Sequence, residues 1–432
     1  MSRMGSKDEL SGRQSASTPR SLPEGWERLT IAALLKSGGS IKTGPFGTVL
    51  KAAEYSIEGV PVISVGEIGP GVLTIRKETP RVSPEILKRL PEYRLNDGDI
   101  VFGRKGAVDR SALIAPTQDG WFLGSDGIRL RLPKSVLPGY AIHQLQMQEA
   151  KNWLLSNSVG TTMASLNGEV LGRVSILIAP ELEQQEIAEA LSDVDALISG
   201  LNKLIAKKRA IMQGMIHRLL TPIKRLPGFS REWETKRIRE FTDCTAGGTP
   251  NTSVSKYWGG NHRWMNSGEL HLKVVTEVLG RVTDLGLRRS SAKMLPENCV
   301  LIGLAGQGRT RGTVAINRVP LATNQSIAAV FPNESFCSDY LYFNLGSRYD
   351  ELRGMSAGDG GRGGLNLTII RSIPVPLPEL DEQRAIAAVL RSIDDEIVAL
   401  ERRRQKIEGI KQGMMQQLLT GRIRLMQPEV LA

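Results

Sequence analysis

Cysteine is scarce. Cys244, Cys299 and Cys337 are the three in 432 residues, with no C-x-x-C pair, so neither a disulfide framework nor a zinc-ligand spacing is present and the expected compartment is reducing. The dipeptide Gly-Lys never occurs, which excludes a G-x-x-x-x-G-K-[ST] phosphate loop and with it sequence evidence for an NTPase. No H-E-x-x-H appears, and four histidines (His143, His217, His262, His271) leave little for acid-base or metal work. His217 falls inside a helical pattern, where a solvated or core-edge place is the simpler reading. Catalytic, metal and cofactor sites are therefore not expected in this chain. No window approaches the ~18 consecutive apolar residues of a membrane span, and MSRMGSKDELSGRQSASTPR has no apolar stretch resembling a signal peptide. The expectation is a soluble, cytoplasmic protein with no membrane partner and with residues 1–20 disordered.

Basic charge is present in excess. Lys plus Arg is 56 against Asp plus Glu at 45, a net charge of +11, which suits a polyanionic partner but is shared by other basic proteins. Two E-x-K triplets, Glu149 to Lys151 and Glu234 to Lys236, hold residue types found in nucleases. Triplets this short arise often by chance.

The chain repeats itself. Leu166–Thr221 matches Leu365–Thr420 at a constant offset of 199 without a gap: LN at Leu166–Asn167 recurs at Leu365–Asn366, EQxxIA at Glu183–Ala188 recurs at Glu382–Ala387, and QGMxxxLLT at Gln213–Thr221 recurs at Gln412–Thr420. Arg225–Leu226 recurs at Arg424–Leu425, and LNDGDIVFGRKG (Leu95–Gly106) parallels LPENCVLIGLAG (Leu295–Gly306) at an offset of 200. One unit of roughly 200 residues therefore occurs twice, a period far too long for a solenoid.

Each unit ends in a long heptad pattern. Ile187, Leu191, Val194, Ile198, Leu201, Ile205, Met212, Met215 and Leu219 in the first copy, and Ile386, Leu390, Ile393, Ile397, Leu400, Ile407, Met414 and Leu418 in the second, alternate steps of four and three. This predicts a coiled coil interrupted by Lys208, Arg404 and Lys411, with Pro222 and Gly421 as stops. Ahead of each helix, β-branched runs such as VPVISV (Val60–Val65), DIVF (Asp99–Phe102) and CVLI (Cys299–Ile302) alternate with Gly and Pro turns and with helical stretches such as Tyr140–Leu155. The expected class is α+β, with two pseudo-repeated mixed α/β domains and two long antiparallel coiled-coil helices. The division reads 1–20 disordered extension, 21–180 first domain, 181–222 central helix, 223–379 second domain, 380–421 distal helix and 422–432 tail.

The chain resembles the specificity subunit of type I restriction-modification enzymes along nearly its whole length after residue 20. The resemblance rests on LPEGWE (Leu22–Glu27), GPFGT (Gly44–Thr48) and GVPVISVGEI (Gly59–Ile68) in the first half. In the second it rests on GGTPNTSVSKYWGGNHRWMNSGEL (Gly247–Leu270) and TNQSIA (Thr323–Ala328), together with the EQxxIA and LLT signatures. It implies two target recognition domains that each read one half of a split, asymmetric double-stranded DNA sequence. It also implies two conserved antiparallel helices that hold two methyltransferase subunits, with restriction subunits completing the assembly. S-adenosylmethionine, ATP and magnesium would then belong to the partner chains. The glycine-rich stretch Ser356–Gly364 replaces Asn157–Ser165, so loop chemistry there does not carry between halves.

Candidate DNA-binding residues follow from position and chemistry. GRKGAVDR places Arg104, Lys105 and Arg110 after a strand, and GQGRTRG places Arg309 and Arg311 in the corresponding region; the competing reading is a solvated turn. Asn324 and Gln325 are amides able to bond adenine in two places, or simply to bond backbone in a TNQ turn. Tyr257, Trp258 and Trp264 read as core before stacking platforms, and Lys207–Arg209 and Arg402–Arg404 as solvated helix faces before spacer contacts. Ile187, Leu191, Val194, Ile198, Leu201, Ile386, Leu390, Ile393, Ile397 and Leu400 form the expected helix-partner interface. Two other functions stay open at this point: cleavage through an E-x-K triplet, and a free-standing transcriptional regulator.

Overall fold

A computed structural model describes residues 22–158, 164–306, 308–355 and 364–425. The extension at 1–20, most of the two loops compared above (157–165 and 356–364), Gln307 and the end of the tail lie outside the described residues. The chain forms two compact units, residues 1–200 with 404–432 and residues 201–403, so each unit takes one stretch of each long helix.

The first unit contains strands β1 (Glu27–Thr30), β2 (Ser40–Thr43), β3 (Val60–Ile63), β4 (Arg81–Val82), β5 (Ile100–Gly103), β6 (Ser111–Leu113), β7 (Phe122–Leu123), β8 (Gly127–Arg131) and β9 (Ser175–Ile178). They form a four-stranded sheet in the order β2-β8-β5-β6, a three-stranded sheet β4-β3-β7 and the pair β1-β9. The second unit contains β10 (Glu234–Arg237), β11 (Cys244–Ala246), β12 (Trp258–Met265), β13 (Val274–Val275), β14 (Gly280–Val282), β15 (Val300–Gly303), β16 (Val314–Asn317), β17 (Ala322–Thr323), β18 (Ile327–Val330) and β19 (Pro374–Leu377). Its sheets run β11-β18-β15-β16-β13, β14-β12-β17 and β10-β19. The repeat is complete at the level of strands except for β13, added parallel to β16.

Strand β5 shows why these runs become strands. Ile100 and Phe102 enter one core, with Ile128 and Leu130, while Val101 enters a second with Val62 and Phe122. In the repeat, Val300 and Ile302 face one core and Leu301 the other. A period of two with both faces buried turns a short apolar run into a central strand, and each fully buried Ile, Leu or Phe stabilises by about 1.5–3 kcal/mol. The predicted helix Tyr140–Leu155 is in fact two, Pro138–Gln146 and Gln148–Asn157, broken where Met147 takes extended backbone (ψ 146). Met147 there packs against the cluster of Trp26, Tyr140, Ile187 and Leu418, a tertiary contact that no local signal encodes.

The long helices span Glu181–Leu219 and Leu380–Leu418, 39 residues each. Within the first unit Ile187 and Leu191 pack with Met415, Leu418 and Leu419, and Lys411 Nζ lies 2.6 Å from Asp195. Within the second, Met212 and Leu219 share a core with Ile386, Leu390 and Ile397, while Lys208 meets Glu396 at 2.7 Å and Arg209 meets Glu401 at 2.5 Å. Residue numbers rise on one helix as they fall on the other, so the stretches in each unit are antiparallel. Lys208 and Lys411, which interrupt the apolar seam, each find a carboxylate on the opposite helix, the register-fixing use of a polar seam residue. The seam residues in these clusters are therefore spent on the chain's own helix pair; Val194, Ile198, Ile393 and Leu400 are half-buried along it.

The EQ signature has a structural task. Glu183 is fully buried and accepts from Trp26 Nε1 (2.9 Å) and from Arg424 Nε and Nη2 (2.9 and 2.8 Å). Glu382, also fully buried, accepts from Arg225 Nε and Nη2 (2.7 and 2.6 Å) and from Trp233 Nε1 (3.1 Å). The neighbouring Gln184 and Gln383 accept from the backbone N–H of Leu137 and Cys337, each at 2.9 Å, and hold the helix that begins there. A buried carboxylate is tolerable only when its oxygens are filled by hydrogen bonds and a counter-charge, and the repeat supplies both partners twice.

Candidate nucleic-acid interface

Three loops of the first unit meet at one edge of its sheets. Gly44 N–H donates to Gly127 O (3.0 Å), Arg104 N–H to Asp126 O (2.8 Å) and Gly124 N–H to Ile63 O (2.8 Å), which ties the GPFGT segment, the β5–β6 loop and the β7–β8 link together. A Cβ on Gly44 would stand 1.8 Å from Gly124 O, so only glycine permits this approach. The Arg104 guanidinium lies 4.8 Å from the Phe46 ring centre and donates to Ser125 O at 3.2 Å. Lys105 Nζ sits 3.4 Å from the Asp126 carboxylate, and Arg110 is exposed. The structure thus brings Arg104 and Lys105 onto the GPFGT and β7–β8 loops, with Arg110 at the far end of the same hairpin.

The second unit builds the same edge with different chemistry. Gly247 N–H donates to Ile327 O (3.2 Å), Asn324 N–H to Met265 O (3.0 Å) and Leu304 N–H to Ser326 O (2.8 Å). Gln325 Oε1 accepts from Thr249 Oγ1 at 2.5 Å, and the exposed Gln325 side chain lies at this edge. Asn324 turns back on its own loop, accepting from Ser326 N–H (3.2 Å) and reaching Ser267 Oγ (3.4 Å). Arg309 is exposed at the tip of the β15–β16 hairpin, its carbonyl accepting from Thr313 Oγ1 (2.5 Å) and Tyr349 OH (3.3 Å), and Arg311 is half-buried beside it. The arginines of the two units are not equivalent, since Arg104 aligns with Leu304 at the offset of 200. Trp258 and Trp264 pack edge to face at 4.9 Å and donate to Asn251 O (3.2 Å) and Gly248 O (3.0 Å), bracing the GGTPN loop.

Sequence reasoning missed one pair of residues here. Glu67 accepts from Ser64 N–H and Thr79 Oγ1, each at 3.2 Å. Glu269 accepts from Asn266 N–H (3.0 Å) and from Leu279 N–H (3.2 Å). Each carboxylate caps its own turn and crosses to a second loop. The recurrence of Gly-Glu in VISVGEI and in RWMNSGEL was the available signal. Glu234 of one E-x-K triplet pairs with its own Lys236 at 2.6 Å, and Glu149 of the other lies 3.8 Å from Arg28. Both carboxylates are engaged in surface ion pairs.

The described residues thus form a duplicated α/β protein with one loop-built edge per copy and different side chains on the two edges. The chain belongs to the type I restriction modification DNA specificity domain family, which matches residues 23–208 and again 230–412, and is thereby a non-catalytic specificity component of a restriction-modification system. It is similar to the type I restriction enzyme MjaVIII specificity subunit of Methanocaldococcus jannaschii, 24% identical with 94% of each chain covered. With the MjaIX specificity subunit of the same organism the identity is 27%, over 44% of each chain. The fold resembles the crystal structure of a type I restriction-modification system S subunit from M. genitalium, with a TM-score of 0.63, 17% identity, and 91% of this chain and 96% of that one covered. Among the described residues no helix is long and apolar enough to cross a membrane.

Proposed function

We propose that the chain reads one split, asymmetric duplex DNA sequence, half with each unit, and holds the methyltransferase and restriction subunits that act on it. The observation that carries this reading is the pair of loop edges, equivalent in backbone and different in side chains. An edge of Arg104, Lys105 and Arg110 and an edge of Arg309, Arg311, Asn324 and Gln325 read different bases, because guanidinium groups pair with guanine edges and amides with adenine. The net charge of +11 supplies the phosphate attraction that positions both. S-adenosylmethionine, ATP and magnesium chemistry falls to the partner chains, two of them methyltransferase subunits, and the assembly works on DNA in the cytoplasm.

Methylome mapping in a host that carries the chain with its matching partners tests this. The expected product is one modified sequence with two specific halves and an unread spacer; a continuous or palindromic modified site overturns the proposal.

A further inference from the structure

Leu279 is 95% exposed, more than any other large apolar side chain among the described residues. The backbone around it is held on every side. Its N–H donates to Glu269 Oε1 at 3.2 Å. Two residues back, the Glu277 carboxylate lies 3.1 Å from Arg263 and 2.5 Å from Arg281. Arg281 also donates to the carbonyls of Val278 and Gly280, the residues flanking Leu279. Val278 is buried, and a Cβ on Gly280 would stand 2.2 Å from Trp264 O, so the chain is pressed against β12 on the far side of the tip. Glu277 pairs with both neighbouring arginines, which leaves one positive charge among the three, and the most exposed group of the loop is the Leu279 isobutyl.

This loop belongs to the recognition edge. Glu269, which holds Leu279, also caps Asn266, and the intervening Ser267 meets Asn324. Trp264, opposite Gly280, donates to the carbonyl of Gly248. An apolar side chain gains nothing from phosphate, but it gains by covering a thymine methyl group or the face of a partly unstacked base. A side chain already fixed in place gains it without the cost of ordering a loop. The first unit presents a shorter aliphatic group in the corresponding connection between β3 and β4. There Val72 is 61% exposed, its carbonyl accepting from Gly69 N–H (2.9 Å), with Thr74 N–H donating to Glu67 O (2.8 Å).

We propose that Leu279 is a specificity-determining residue: its side chain enters the duplex of the half-site read by the second unit and packs against the apolar part of a base. The inference rests on the DNA-reading function above. The test uses the assembled complex and a set of duplexes in which each position of the target is changed singly, including thymine to deoxyuridine, with binding followed by fluorescence anisotropy at several salt concentrations. Leu279→Ala is expected to lose about tenfold in discrimination at one or two adjacent positions of one half-site. The other half-site and the salt slope should be unchanged, and Leu279→Met should restore most of the loss. Unchanged discrimination at every position overturns the contact. So does an equal loss on all sequences, and so does a defect in assembly with normal base preference, which would assign Leu279 to a protein partner. A wild-type complex with no specific site overturns the function itself and the contact with it.

Discussion

His143 carries a pH dependence that the repeat itself can control. Its ring is buried, with Nε2 4.0 Å from Asp195, whose carboxylate also holds Lys411. Burial, and then the Lys411 charge, push the imidazole down to about 4, while Asp195 pulls the other way. The folded state therefore resists protonation at pH values where the unfolded chain accepts it. Stability is fully present above the ordinary histidine value near 6.5 and declines as pH falls toward 4, by about 2 kcal/mol between pH 7 and pH 5. At the equivalent position of the second unit the residue is Phe343, and Met212 occupies the place of Lys411. His143→Phe should flatten the wild-type fall in Tm between pH 7 and pH 5, measured on both proteins in the same buffers; an unchanged difference would show that other groups set the slope. For the recognition edge, Arg309→Ala is expected to lose about 1–3 kcal/mol of discrimination at one position of one half-site if the guanidinium reads a base. A uniform loss with a shallower salt slope would make it a phosphate contact. Selection from a degenerate duplex pool distinguishes these outcomes.

The long helices divide their apolar residues between an inner seam and an outer face. Leu390 is fully buried against the second unit's core, whereas Leu204 is 39% exposed on the other helix. Leu390→Asp places an unpaired charge in packed apolar surroundings and should cost several kcal/mol. Leu204→Asp should stay within about 0.5 kcal/mol of the wild type. Denaturant titration of both variants checks the seam; comparable losses would mean that the packed face is wrongly assigned. The heptad steps made these helices legible in the sequence, because burial along one stripe repeats with the turn. The ion pairs of Lys208 and Lys411 were not legible, because they depend on which residue of the opposite helix comes alongside. The break at Met147 was hidden for the same reason: nothing in Gln146-Met147-Gln148 stops a helix, and the stop comes from packing.

At the scale of the whole chain, the self-match in sequence disclosed two units and the strands within them, but showed only where a feature recurs and not what it does. Glu183 and Glu382 stood out as parts of the EQxxIA signature, and Arg225 and Arg424 as a recurring pair. Only the folded chain joins each glutamate to its arginine and tryptophan, across 241 and 157 residues in the first unit and 157 and 149 in the second. The recognition edges were legible to the extent that glycines and basic residues cluster in turns. Glu269 was marked only by the recurring Gly-Glu and Leu279 by nothing, because both work through the tertiary course of a loop. Since each knot lies wholly inside one unit, the repeat makes a quantitative prediction. Removing one carboxylate leaves an arginine and an indole N–H at a site closed to water on the glutamate side, and breaking a buried pair in this way costs about 3–5 kcal/mol. Glu183→Ala should therefore destabilise the first unit and Glu382→Ala the second, by similar amounts. The double variant should show the sum within about 0.5 kcal/mol, as expected for sites that share no partner. Hydrogen exchange resolved along the chain measures both losses separately: faster exchange in 22–200 and 404–425 for the first variant and in 201–403 for the second. Exchange that accelerates equally in both units from a single substitution would show that the two copies fold as one cooperative body, and that the repeat in the sequence does not mark a repeat in stability.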